Sequence, residues 1–403
     1  MVVSGVEMVI EGSPWPGLTE RTAARAGPVR TGAAMRDTRS VGDIYWSARL
    51  RRWGRVVDSR PGYTLLIPVP GDLPVFLELA LTVCALQESD NRVQAIVVAD
   101  QMNPEIQRIA DRHRRRWTGT LDIAPLPIPE RWVLPRMKNP SRNHFFQLMT
   151  GVRAATGSHV ILHDADLFPL SGRLFETQYE ACRSRRLACL GISPVWDPWF
   201  AQKGLRLAAT WEICAETAWV RSFPPYLHIG HDAELLGERH TFDTTLYPQS
   251  VTPPDRIDFQ TPEGAFIHFG YVVSTYRLFQ HHGPGFLDDQ FRLLFISLLC
   301  SSFGQTGPPA GLPDPSALAD GLVRSETAPV RFPVGSKAQE RFAAFRAQLD
   351  GVLDGAWLAG SDLSLVRSAL GRFDEHYHYS ADRGQRGPEA MPDDVADLPD
   401  SAT

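Results

Sequence analysis

His159-Val160-Ile161-Leu162-His163-Asp164-Ala165-Asp166-Leu167-Phe168 is a short, β-prone apolar run that stops abruptly at two carboxylates one residue apart. In an extended chain, side chains at i and i+2 share a side. Asp164 and Asp166 are therefore expected to aim two hard oxygen ligands at one point, at the mouth of a buried strand. That arrangement suits Mn²⁺ or Mg²⁺, which favour oxygen ligands and share their shells with phosphate groups. Taken alone, the pattern equally describes a strand end capped by two solvated acids, so the flanking sequence decides. By the same alternation His163 faces away from Asp164 and reads as packed or as a residue behind the ligands.

Upstream, strand and helix signals alternate. Tyr63-Thr64-Leu65-Leu66-Ile67-Pro68-Val69 is a continuous apolar run of buried-strand type, stopped by Pro70-Gly71. Residues 73–87 carry Phe76, Leu79, Ala80, Val83 and Cys84 at helical spacing, and 93–99 form a second buried strand ending at Asp100. A helix over 104–116 ends in a basic run, Arg112 to Arg116, read as a solvated face. A marginal strand over 121–128 is broken by Pro125 and Pro127. Asn139-Pro140 starts a helix whose apolar face is Phe145, Leu148, Met149 and Val152, with Gly157 as its C′ residue. Such alternation favours parallel pairing, with ligands beyond the carboxyl ends of the strands. Asp100, Asp164 and Asp166 all fall at such ends.

The second half is less regular. Strands are expected over 187–192 and 264–273, with His268 in the latter, and His281 and His282 are placed in a loop. Between the two strands lies a stretch with Trp196, Trp199, Trp211, Trp219, Tyr226 and Tyr247, read as core with some rings free to line a cleft. Residues 305–333 read as a loop, and 337–353 and 363–372 as amphipathic helices. Residues 1–40 and 381–403 lack sustained periodicity and are expected to be disordered.

Composition narrows the classes. A chain of 403 residues accommodates one elaborated domain or two. Its 43% hydrophobic and 22% charged residues are ordinary for a globular protein. A net charge of −5 gives no general pull toward nucleic acid or anionic membrane. The five cysteines form no C-x-x-C pair, which argues against a zinc site or a disulfide framework and points to a reducing compartment. No signal peptide is recognisable. The most apolar run, 291–303, is far shorter than the roughly 20 residues a bilayer span needs. A cytoplasmic protein with no integral membrane segment and no nucleic-acid partner is expected.

Four segments in order resemble the GT-A-type glycosyltransferases, closest in pattern to the large family-2 group of nucleotide-diphospho-sugar transferases. Leu65-Leu66-Ile67-Pro68-Val69 resembles the opening strand, and Ile96-Val97-Val98-Ala99-Asp100 the second strand with its base-contacting Asp. Arg142-Asn143 followed by Gly157 resembles the helix leading to the metal strand, and Asp164-Ala165-Asp166 stands at the DxD position. Pro70-Gly71 and Gln101 depart from the family pattern. More loosely, 269–273 followed by Gly283-Pro284-Gly285-Phe286-Leu287-Asp288-Asp289 resembles the segment ending in the catalytic acid pair.

The resemblance implies an α/β fold of GT-A type, Rossmann-like, with a mostly parallel central sheet flanked by helices and an elaborated C-terminal acceptor region. It places a nucleotide-sugar-binding half over 41–170 and an acceptor-binding, catalytic half over 171–380. It implies a metal-dependent, hexosyltransferase-like enzyme moving sugar from a nucleotide-diphosphate donor, UDP-sugar favoured, to a hydroxyl-bearing acceptor. Inversion with an Asp base is implied. Asp289 is then the base with Asp288 beside it. Pro68, Val69, Asp100, Arg142, Asn143 and Asp164 meet the nucleotide, with Asp166 and Asp164 on Mn²⁺ or Mg²⁺. His376 or His378, near the chain end, supplies a third ligand. Lys138 and Arg142, at a helix N-terminus, are placed to meet the diphosphate. Three alternatives remain open: a nucleotidyltransferase of similar fold, a metal phosphohydrolase using His163-Asp164, and a non-catalytic nucleotide-sugar or partner-binding module.

Overall fold

The computed structural model describes residues 49–379, apart from 55–56, 138–139, 263, 283–289, 304–310, 320–329, 331 and 333. The end segments 1–40 and 381–403, the acids Asp288 and Asp289, and Lys138 lie outside the described residues.

The first half follows the predicted alternation. Strand β1 (Arg60–Val69) leads to helix α1 (Pro74–Ala85), β2 (Arg92–Ala99), α2 (Pro104–Arg114) and β3 (Thr120–Ile123). Helices α3 (Ile128–Met137) and α4 (Pro140–Ala154) then lead into β4 (Gly157–His163) and β5 (Leu167–Pro169). The Asn103 side chain accepts from Ile106 N at 2.9 Å and caps α2. Beyond β5 come α5 (Leu174–Ser184), β6 (Cys189–Gly191), α6 (Pro198–Gln202), β7 (Glu212–Glu216) and α7 (Thr217–Ser222). A two-stranded excursion, β8 (His231–Leu235) and β9 (Glu238–Phe242), precedes α8 (Leu246–Ser250), β10 (Ile257–Phe259) and β11 (Phe266–His268). The chain then turns helical: α9 (Val272–His282), α10 (Gln290–Ser302), α11 (Pro315–Ala319), α12 (Ser336–Leu353) and α13 (Ser364–Tyr377).

The central sheet has seven strands in the order β10-β6-β7-β4-β1-β2-β3. Pairings β1/β2, β1/β4, β2/β3 and β10/β6 are parallel, and only β7 runs against the rest. This is the mostly parallel, helix-flanked sheet that the GT-A resemblance implies. Alternation along the strands feeds two cores. Leu65, Ile67, Val69, Ala95, Val97 and Ile161 pack with α1 and the C-terminal helices on one face. Leu66, Ile96, Val98, Val160 and Leu162 pack with Phe145, Phe146, Met149 and Val152 of α4 on the other. A strand covered on both faces reads as an unbroken apolar run, which is why periodicity alone marks β1 as central. Each fully buried Leu, Ile or Val contributes about 1.5–3 kcal/mol.

Three expectations are corrected. Gly157 does not end α4, which stops at Ala154; it opens β4. A Cβ there would lie 2.5 Å from Thr64 N, so glycine is required by the approach of β1 and β4. The expected strand over 264–273 is only Phe266–His268, and Val272 begins α9 instead. The prolines of 121–128 divide that stretch between the short β3 and the start of α3, a helix that periodicity did not reveal.

Candidate metal and donor site

Strand β4 delivers Asp164 to the carboxyl edge of the sheet, but the two aspartates do not converge by strand alternation. Leu167 N donates to Asp164 O at 3.1 Å, closing a turn over 164–167 between β4 and β5. Asp164 N donates to Trp211 O at 3.1 Å, and the turn brings both carboxylates to one place. Asp164 is half-buried and Asp166 buried.

The third member of the group is His268. Strand β11 pairs antiparallel with β5, His268 opposite Leu167, and Phe269 N donates to Asp166 O at 3.1 Å. These bonds set His268 Nε2 at 3.6 Å from Asp166 Oδ1. Ligand atoms from Asp164, Asp166 and His268 all lie within 4.8 Å of one another. The His268 ring stacks on Trp211, centroids 4.2 Å apart and 21° from parallel, which fixes its plane. Burial pushes the Asp166 carboxyl up, but His268 and the backbone N–H groups of Asp166 and Val272 outweigh it and hold it below the usual range.

Two carboxylates and one imidazole converging on a point are a fitting donor set for a divalent cation. The imidazole favours Mn²⁺ over Mg²⁺, which takes oxygen almost exclusively. Among the described residues this is the one such group. His376 and His378 are not in it. His376 lies in the last turn of α13 with its ring edge-on to Tyr377 at 4.7 Å, and His378 is an exposed left-handed cap at the helix end. The candidate third member thus comes from β11 rather than from the chain end. A signal existed: His268 stands at the end of an apolar triplet immediately before Phe269-Gly270, as Asp164 does after β4.

Other groups surround the pair. His144, on the second turn of α4, places Nε2 2.9 Å from Asp164 Oδ1, close enough for a charge contact. That nitrogen is sealed from solvent and meets no other polar partner. Burial pulls the His144 pKa down, yet Asp164, Asp243 and Asp166 outweigh it and the value is raised. Asp243, exposed just beyond β9, is also felt by Tyr271, whose hydroxyl is pushed up by burial first and by that charge second. Thr245 and Tyr271 both sit in left-handed backbone, φ 63° and 65°. For a β-branched threonine that is a strained conformation, of the kind that collects at functional loops. Behind Asp164, His163 is fully buried with Nδ1 2.7 Å from Glu212 Oε2, so it is packed as alternation predicts.

The candidate nucleotide residues line the same edge. Pro68 and Val69 are buried at the end of β1, where Val69 O accepts from Gln147 Nε2 at 2.8 Å. Asp100 is buried; its Oδ1 accepts from Gly71 N at 2.7 Å, and Oδ2 from Arg277 Nη2 at 2.7 Å and Asn143 Nδ2 at 3.3 Å. Both carboxylate oxygens of Asp100 are thus already engaged within the chain. Arg142 is half-buried on α4.

No family model matches the chain, and no curated protein matches it. Among solved structures it is similar to TarS of S. aureus, with 12% identity, TM-score 0.34, and coverage of 83% of this chain and 57% of that one. The chain thus spans about 57% of that TarS chain. It is also similar to the mannosyltransferase PcManGT from Pyrobaculum calidifontis in complex with GDP-Man and Mn²⁺ (14% identity, TM-score 0.31, 83% and 94% covered). A third is the glucosyl-3-phosphoglycerate synthase of M. tuberculosis (12%, TM-score 0.28, 45% and 62%). At such TM-scores these likenesses carry no argument, and function is read from the site. No helix among the described residues is long and apolar enough to cross a membrane.

Proposed function

We propose that the chain is a metal-dependent glycosyltransferase that moves a hexosyl group from a nucleotide-diphosphate sugar to a hydroxyl acceptor. The observation that carries this reading is the convergence of Asp164, Asp166 and His268 at the carboxyl edge of parallel strands. A bound Mn²⁺ supplies Lewis acidity toward a leaving diphosphate. Asp166, Asp164 and His268 would hold it there. The chain's own work is to keep these three groups converged and to present the carboxyl edge of β1 and β2 to the nucleoside.

On the acceptor side, a carboxylate is proposed to take the hydroxyl proton as attack proceeds, inverting the anomeric centre. Asp289, with Asp288 beside it, is the candidate from sequence. Asp243 competes for the role, being an exposed acid whose charge reaches both His144 and Tyr271 at the cation site. An exposed carboxylate is reachable by an incoming sugar hydroxyl, as a general base must be.

Calorimetry with UDP, GDP and dTDP, with and without Mn²⁺, tests the donor half. The expected result is Mn²⁺-dependent binding of one diphosphate, largely lost in Asp166→Ala. Metal-independent binding untouched by that substitution contradicts it and favours a binding module without chemistry. Asp243→Asn and Asp289→Asn separate the two base candidates. The variant lacking the base should keep donor affinity while transfer falls about 10²–10⁴-fold. Full activity in both variants removes the base from the account.

A further inference from the structure

We propose that His144 is a positioning residue that sets the orientation of the cation-holding Asp164 carboxylate. This rests on the cation reading above.

One stretch of α4 reaches the ends of three neighbouring parallel strands. Gln147 Nε2 donates to Val69 O at 2.8 Å and to Val98 O at 2.6 Å, bridging the ends of β1 and β2. Asn143, four residues earlier on the same face, donates Nδ2 to Asp100 Oδ2 at 3.3 Å. His144 takes the next position round the helix and meets Asp164, the first residue after β4, with Nε2 2.9 Å from Oδ1. Beneath this row, Phe145, Phe146 and Met149 are buried in the core, so the helix is fixed against the sheet. The imidazole is carried on a rigid element, while the carboxylate it meets lies in a turn.

A turn residue with free χ angles samples several carboxylate orientations. With Oδ1 engaged by His144, Asp164 is left with Oδ2 for a cation shared with Asp166 and His268. His144 Nε2 is sealed from solvent and has no other partner, so its polar atom has one task in this structure. Groups that orient metal ligands in this way commonly control affinity by about 10–100-fold.

The test is Mn²⁺ alone, without nucleotide, titrated into the full chain and followed by electron paramagnetic resonance and calorimetry. His144→Ala should weaken Mn²⁺ binding about 10–100-fold. His144→Gln, whose amide nitrogen reaches the same place, should recover most of the loss. Gln107→Ala, exposed on α2 and bonded to Asp111 of its own helix, should bind Mn²⁺ as the wild type does. Thermal melts of each variant establish that the fold is kept. If the alanine variant does not fold, the glutamine variant's affinity against wild type decides alone, and a full loss there overturns the proposal. Wild-type affinity in His144→Ala, or equal loss in the alanine and glutamine variants, overturns it too. Failure of the wild type itself to bind Mn²⁺ strikes the cation reading instead.

Discussion

His228 is enclosed by the rings of Trp53, Trp219 and Phe223, with centroids 5.6, 6.3 and 6.0 Å away. Its Nε2 donates to Val220 O at 2.9 Å, and its Nδ1 is buried without a partner. Burial drives its pKa down from the ordinary 6.5 to about 4. The folded chain therefore keeps His228 neutral while the unfolded chain takes a proton below pH 6.5. Stability from this residue is fully present above pH 6.5 and drains away on acidification to about pH 4. The total is about 3 kcal/mol. Denaturant unfolding over that range should lose this slope in His228→Gln; an unchanged slope would place the titration elsewhere. Asp166 also loses stability on acidification, but there the folded chain favours the charged form. Although burial opposes its charge, its depressed pKa favours the ionised form, so its contribution holds above the ordinary carboxylate range and is lost as pH falls below it.

Elements succeed or fail in sequence according to how local their cause is. Strands β1, β2 and β4 are readable because burial on both faces demands unbroken apolar runs. The DxD pair is readable because two acids end such a run. What fixes its geometry is not readable, since the turn over 164–167 depends on Trp211 O and on the ladder between β5 and β11. Those partners stand more than 40 residues from Asp164 and leave no periodic trace. His268 reads in sequence as a strand residue and not as a member of the acidic group, because its partner strand β5 has three residues and no pattern of its own. His376 and His378 stand out in sequence only by their place near the chain end, and α13 carries them outside the group of Asp164, Asp166 and His268. A glycine after a helix and a glycine where two paired strands approach closely look alike in sequence, so the role of Gly157 is not legible there. Gly157→Ala should destabilise the fold, with Cβ 2.5 Å from Thr64 N, a backbone atom that cannot swing aside. Wild-type stability in that variant would show that β1 and β4 can separate without cost.

At the scale of the whole molecule, distant segments of the chain are tied together beside the site. Arg277 of α9 bonds Asp72 Oδ2 at 2.6 Å and Asp100 Oδ2 at 2.7 Å, joining residues more than 170 positions apart. Arg277 and Asp100 are both buried. Burial raises the Asp100 carboxyl and Arg277 opposes that rise. Arg277→Ala leaves a buried carboxylate uncompensated and should cost about 3–5 kcal/mol in urea unfolding. Adding Asp100→Asn should recover part of the loss, because the stranded charge is gone. No recovery in the double variant would mean that the guanidinium acts by packing alone. The same link makes the carboxyl edge of β1 and β2 depend on α9. The expected division at 170 does not display that dependence.

The most direct test of the account is a crystal structure grown with Mn²⁺ and a nucleoside diphosphate, with the ion located by anomalous scattering. The account predicts one Mn²⁺ bonded by Asp164, Asp166 and His268 and by diphosphate oxygens, at the carboxyl edge of β1 and β4. Manganese held elsewhere, or carboxylates of Asp164 and Asp166 turned away from the diphosphate, would contradict it.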